Sequence, residues 1–218
     1  MADRRLKIWE KLFQNALAII DEAVATGAPV RGWSFGGGTV LMRRHRHRIS
    51  KDVDIFVPDP QWLGYLTPRL NQKAEMLAPD YVEQAGFLKL YFPEGEIDFV
   101  ASAPLTPNPT STETIVGREI EVETSAEIIA KKVWHRGAEF TARDLFDFAL
   151  VARKEPGEVA KITRILEARR DVLTLRLIAH DAALREDFAA LDVLDFSPSY
   201  DECAEAVRKA LGQGRIGT

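Results

Sequence analysis

The sequence predicts an α+β protein: a small twisted mixed sheet flanked by helices, followed by a helical C-terminal part. Three observations predict it. Near the start, apolar residues recur at three- and four-residue steps. From about residue 30 to 122, short alternating runs are punctuated by Gly and Pro. From about residue 124 onward, capping residues and helical periodicity take over. The change of pattern near residues 112 to 124 divides the chain into an α/β core over 1–122 and a helical part over 123–218.

The first element is a helix over 3–25, where Leu6, Trp9, Phe13, Leu17 and Ile20 form one stripe. Gly27-Ala-Pro29 ends it, and Val30 to Phe35 reads as a strand before Gly36, Gly37 and Gly38. A short helix should run from Thr39 to His45. In Asp52 to Val57, alternation puts Val53, Ile55 and Val57 on one face and Asp52 and Asp54 on the other. Gln61 to Leu77 reads as a helix that Pro68 starts or kinks. Tyr81 to Glu83 and Phe87 to Phe92 read as strands, and Pro93-Glu-Gly-Glu96 is a turn that makes a hairpin with Ile97 to Val100. Asp98 lies on the face opposite Ile97 and Phe99. A Pro/Thr/Ser-rich loop over 103–112 precedes a last strand over 119–122. Thr124 and Thr141 are N-cap candidates for helices over 128–134 and up to Val151, and further helices are expected over 156–168, 172–191 and 200–211. Residues 212–218 read as a frayed tail.

Composition excludes several classes. With 218 residues, 46% hydrophobic and 28% charged, the chain is neither disordered nor collagen-like. Its net charge of −4 gives no global basic field, so any polyanion would need a local patch. The single Cys203 excludes an intramolecular disulfide and a cysteine-based zinc ribbon, and fits a reducing, cytoplasmic compartment. The first residues carry charges rather than an apolar run, so neither export nor a membrane span is expected.

The stretch Ser34-Phe-Gly-Gly-Gly-Thr39 followed by Asp52-Val-Asp54 carries the chemistry. Glycines at a strand-to-helix turn let the backbone approach phosphates, and the amides of the following helix favour anions. Two aspartates on one strand face suit hard divalent cations that bridge substrate phosphates, and Asp98 on a later strand completes a three-carboxylate cluster. Such a site would hold a nucleoside triphosphate, activate an attacking hydroxyl and stabilise a pyrophosphate leaving group. Between the motifs, Arg43, Arg44, Arg46 and Arg48 interleave with His45 and His47, a local cationic run suited to RNA phosphates or to the triphosphate. A rival arrangement makes His45 and His47, with His135 and His180, ligands of a zinc hydrolase, and needs four scattered histidines to converge.

The run from Gly37-Gly-Thr39 through Arg48-Ile-Ser-Lys-Asp-Val-Asp-Ile-Phe56 resembles the signature of the DNA polymerase β-like nucleotidyltransferase superfamily, and most closely the AbiEii toxin family. Ile129-Ala-Lys-Lys132 and Ala142-Arg-Asp-Leu-Phe-Asp147 extend the resemblance, which covers about residues 33–153. It implies a nucleotidyltransferase core, with Gly37, Gly38 and Thr39 holding the triphosphate and Asp52, Asp54 and Asp98 binding Mg2+ or Mn2+. Asp98 stands as a metal ligand or as the base for the attacking hydroxyl. Lys132 or Lys131 would neutralise the phosphates; neighbouring helix positions point about 100° apart, so only one of them serves. Asp144 and Asp147 would orient that lysine or the nucleotide. The resemblance further implies an NTP as substrate, RNA or a tRNA 3′ end as acceptor, and a toxin of a bacterial toxin–antitoxin or abortive-infection system with an antitoxin partner. Two alternatives keep the same fold: a noncatalytic nucleotide- or RNA-binding module, and a transferase acting on a small molecule such as an antibiotic.

Overall fold

The computed structural model describes residues 4–213, so Asp3 of the first helix and residues 214–218 of the expected tail lie outside the described residues. The chain forms two compact units that interleave in sequence. The first takes the residues up to Arg43, Ser50–Pro104 and Thr110–Glu123; the second takes Arg44–Ile49, Leu105–Pro109 and the chain from Thr124.

In the first unit a 3-10 turn leads into α1 (Ile8–Ala25), which buries Trp9, Leu12, Phe13, Ala16, Leu17 and Ile20, the stripe that the spacing predicts. Strand β1 (Ser34–Gly36) is shorter and later than expected, because Gly32 sits in the left-handed region (φ 66°) and interrupts the extended run. Helix α2 (Gly37–His45) begins at the second glycine, and β2 (Val53–Val57) follows. The helix expected over 61–77 is broken into α3 (Leu63–Leu66) and α4 (Gln72–Leu77). Pro68 lies between them, and Asn71 caps the second piece by accepting from Ala74 N at 2.9 Å.

Strands β3 (Asp80–Gln84), β4 (Phe87–Phe92), β5 (Gly95–Ala101), β6 (Thr110–Ile115) and β7 (Arg118–Glu123) complete a seven-stranded sheet of order β3-β4-β5-β2-β1-β7-β6. The pairing is mixed: β2 runs parallel to β5 and β1 parallel to β7, and the other neighbours are antiparallel. Strand β6 falls partly inside the expected loop. As an edge strand it leaves half of its Thr-Ser-Thr-Glu-Thr-Ile run in solvent and buries only Ile115, and so carries no apolar alternation to read. Helix α1 packs on β2 and β5, and Trp9, Phe13 and Phe35 meet in an aromatic cluster with centroids 4.6 to 6.1 Å apart.

The second unit consists of α5 (Ser125–Arg136), α6 (Ala142–Lys154), α7 (Pro156–Lys161), α8 (Thr163–Ala179), α9 (Asp181–Ala189) and α10 (Tyr200–Ala210). Thr124 and Thr141 are N-caps, and Thr141 forms a capping box with Asp144. The breaks in the distal helices come at Ile162 and His180, where the backbone leaves helical geometry without a Gly or Pro to announce it. Residues 46–49 pair with 192–195: Ile49 N donates to Asp192 O, Leu194 N to His47 O and Asp195 N to Arg46 O, at 2.8 to 2.9 Å. That pairing, together with Phe146 packed between Phe188 and Phe196, holds this segment in the helical unit. Among the described residues no helix is long and apolar enough to cross a membrane.

The broken helix makes a testable point. Asn71 is 2% exposed, and its amide also donates to Ile19 O (2.9 Å) and Tyr65 O (3.1 Å), so it ties α4 to α1 and to the end of α3. Asn71→Ala is expected to lower stability by about 2 to 3 kcal/mol, read as an earlier midpoint in urea with the m-value unchanged.

Candidate active site

In the first unit the sheet register lines up one row of side chains across four strands. Gly36 of β1 pairs with Asp54 of β2, Asp54 with Asp98 of β5, and Asp98 with Lys89 of β4. Directly paired residues on adjacent strands present their side chains to the same face within about 5 Å. Two carboxylates are therefore held side by side by backbone pairing alone.

The glycine turn closes against this row. Gly37 has φ 73°, and a Cβ there would fall 1.9 Å from Asp54 Oδ2, so only glycine lets the start of α2 lie against the carboxylate. Gly36 has the same relation to Glu123, whose Oε2 lies 2.2 Å from where a Cβ would be. Thr39 is fully buried: its hydroxyl donates to Asp52 O at 2.6 Å and lies 3.1 Å from Ser50 Oγ, which fastens α2 to the segment entering β2.

Asp98 differs from the other carboxylates. Lys89 Nζ stands 3.1 Å from its Oδ2, while its Oδ1 is buried with no hydrogen-bond partner among the described residues. Burial, and then the charge of Asp54, push its pKa up to about 6 against the pull of Lys89. Asp52 is not drawn into the same point: its Oδ1 accepts from Glu96 N at 3.1 Å. Among the described residues no three His, Cys, Asp or Glu side chains converge in metal-ligand fashion. The donor chemistry nevertheless fits a hard divalent cation, because adjacent oxygen ligands whose mutual repulsion is only partly neutralised, one with an orphaned buried oxygen, are what such an ion stabilises.

The second unit holds a separate charged cluster. Asp147 is fully buried and accepts from Arg48 Nε (2.8 Å) and His47 Nε2 (2.7 Å) on Oδ1, and from Arg48 Nη2 (2.7 Å) on Oδ2, with Lys132 Nζ 3.1 Å from Oδ2. Lys132 also bonds Asp144, which Thr141 and Arg136 hold in turn. Burial by itself would raise both carboxyls, yet Arg48 and Lys132 bring Asp147 well below the usual range, and Lys132 and Arg136 lower Asp144. Lys131 faces elsewhere: its Nζ is 3.7 Å from Glu127 Oε1, and Glu127 accepts from the backbone of Leu105 and Thr106. The two lysines thus have different surroundings, as their helical spacing predicts.

The cationic run is largely engaged by the protein's own carboxylates, with Arg46 in an exposed pair and, of its arginines, only Arg48 buried. Arg43 pairs with Glu113 and lies over Trp9, Arg46 pairs with Asp195, and Arg48 is 4% exposed on Asp147; Arg44 is half-buried. The histidines do not gather as the zinc arrangement requires: His47 bonds Asp147, His45 bonds Glu155, and His135 and His180 are exposed on other segments. Sequence reasoning passed over Lys89 and Glu123. Lys89 was legible as a wet-face position of an alternating strand, whereas the placing of Glu123 against Gly36 depends on a parallel pairing between distant strands.

Residues 27–211 match the profile of the nucleotidyl transferase AbiEii toxin family of type IV toxin–antitoxin systems. The chain belongs to this family. It is accordingly a nucleotidyltransferase of the toxin–antitoxin class, and the family implies an NTP substrate. Among solved structures it resembles MenT4, a nucleotidyltransferase toxin of Mycobacterium tuberculosis H37Rv, at 15% identity and TM-score 0.55 over 98% of this chain and 87% of that one. At that identity the likeness speaks for the fold. An H. pylori chain whose assignment as a nucleotidyltransferase is provisional matches at 14% identity and TM-score 0.46, over 97% of this chain and 95% of that one. No curated relative matches the sequence.

The raised pKa of Asp98 sets a pH dependence. In metal-free protein the folded state keeps this proton up to about pH 6 while the unfolded chain releases it near pH 4, so stability falls as pH rises between them. The loss is about 2 to 3 kcal/mol. Asp98→Asn should remove it, so in denaturant melts from pH 4.5 to 7.5 the variant should gain on the wild type as pH rises.

Proposed function

We propose that the protein transfers a nucleoside monophosphate from an NTP to a hydroxyl of RNA, with a tRNA 3′ end as the foremost acceptor, and releases pyrophosphate. The Asp54–Asp98 pair against the Gly37 turn carries this reading: a backbone that approaches phosphates stands beside carboxylates suited to a cation. Asp54 and Asp98, which the sheet register sets side by side, would hold Mg2+ or Mn2+, which when bound would screen the triphosphate and favour the alkoxide of the acceptor, while Asp52 is bonded to the backbone of Glu96. In the transfer the acceptor oxygen bonds to the α-phosphorus, and the bond from that phosphorus to the bridging oxygen breaks. Asp98 would offer its partner-free Oδ1 to the cation, since Lys89 occupies the other oxygen, and the hydroxyl proton leaves to solvent. Gly37 and Gly38 present backbone to the phosphates; Thr39 serves by fixing the helix start to Asp52 O rather than by offering its hydroxyl. Lys132, held by Asp144 and Asp147, supplies positive charge for the leaving pyrophosphate. RNA is proposed as acceptor on the ground of toxicity, since masking RNA hydroxyl ends blocks an essential process; an antitoxin would be the protein partner.

The test is incubation with each α-labelled NTP, magnesium and a mixture of total tRNA, protein and small acceptors, beside Asp52→Asn and Asp54→Asn. Label on RNA that falls by more than ~100-fold in Asp54→Asn is the expected result. Label on protein or a small molecule overturns the acceptor and keeps the transfer. No label on any acceptor, with NTP still bound, overturns the reaction.

A further inference from the structure

A carboxylate offers about four lone-pair positions. Around Asp147 all four are met: Arg48 Nε and His47 Nε2 on Oδ1, and Arg48 Nη2 and Lys132 Nζ on Oδ2. Three of these come from two consecutive residues, so the plane of the carboxylate is fixed from one side and a single position is left, which Lys132 fills. His47 itself is fully buried, its ring stacked 5.8 Å from that of Phe146, and its Nδ1 has no hydrogen-bond partner among the described residues. Among the described residues the ring's one polar bond is the one to Asp147, and a bond to a carboxylate requires the hydrogen to sit on Nε2.

We infer that His47 is a positioning residue for the transfer: by donating Nε2–H to Asp147 Oδ1 it locks the carboxylate plane, and through Oδ2 it fixes where the Lys132 ammonium stands. The inference rests on the reading that Lys132 serves the triphosphate. Arg48 forks onto both oxygens and Lys132 adds to Oδ2, so the second lone pair of Oδ1 is the one position that His47 supplies. Burial holds His47 below the ordinary histidine pKa against the pull of Asp147, so the donor is a neutral ring that adds no charge to compete with Lys132. The groups facing this ring and its partner are Arg48, His45, Asp147 and Lys132, with Asp144 beyond the lysine. The sequence singled out His47 only as one member of a cationic run.

The experiment compares His47→Gln, His47→Asn and His47→Leu with Lys132→Met. A Gln side-chain nitrogen reaches the place of Nε2, whereas the Asn nitrogen stops at the place of Nδ1. Residues that merely fill the space would rank Asn and Gln together. The expected result is a fall in kcat of at least ~10-fold for Asn and Leu, with KM for the NTP within about twofold, and recovery to within about threefold of wild type in Gln. A second readout needs no turnover: the rate at which a water-soluble amine reagent modifies Lys132, followed by peptide mass spectrometry, should rise several-fold in Asn and Leu but not in Gln. If His47→Leu does not fold, the Asn/Gln pair decides. Equal kcat and equal Lys132 labelling in Asn and Gln overturn the role of His47. Full activity in Lys132→Met overturns the assigned role of that lysine instead, and the labelling result then still reports whether His47 holds it in place.

Discussion

A carboxylate with no exposed surface must be surrounded by donors or it will not stay charged, and Asp147 imposes that condition on the helical unit. Its donors come from the segment after α2 and from α5, while Asp147 itself sits on α6. Three parts of the chain that are remote in sequence are therefore brought to one point. Thr141 meets the same requirement for Asp144 one turn earlier, closing the helix start and the ion cluster with the same atoms. The ordering is more consequential than the energy, since buried ion pairs contribute little net stability once desolvation is counted.

The sheet of the other unit achieves its placement differently. There the backbone ladder, not the side chains, sets Asp54 beside Asp98, and the missing Cβ atoms at Gly36 and Gly37 leave room for carboxylates to lie against the turn. Asp98 in this row is under-compensated. Lys89 meets one oxygen of Asp98, and the repulsion that remains is what makes the place receptive to a cation. The Asp147 cluster thus has every carboxylate position met, whereas Asp98 keeps one oxygen in readiness.

Much of this was legible in the sequence, and what was not has physical reasons. The period-two face of Asp52 and Asp54, the wet side of Asp98 and the cap at Thr141 follow from local geometry, so a single stretch of residues declares them. The partners of Arg48 and His47 do not. Four arginines and two histidines in six residues look like a solvated surface, and only a carboxylate about a hundred positions later turns two of them inward. Likewise β6 carries no apolar alternation because it is an edge, and the helix breaks at Ile162 and His180 lack the residues that usually mark them. Asp52 shows the limit of face arguments: it shares a face with Asp54, yet its Oδ1 is bonded to the backbone of Glu96.

The interleaving of the two units also bears on how such a protein can be inherited and rearranged. The chain passes from one unit to the other at each end of the segment Arg44–Ile49, at each end of Leu105–Pro109, and again after Glu123. No single cut yields two complete modules. A fragment starting at Thr124 would carry Asp147 but neither Arg48 nor His47, leaving a buried charge without two of its three partner residues. The boundary where strands give way to helices therefore does not delimit a portable helical domain, and the fold is expected to be inherited whole.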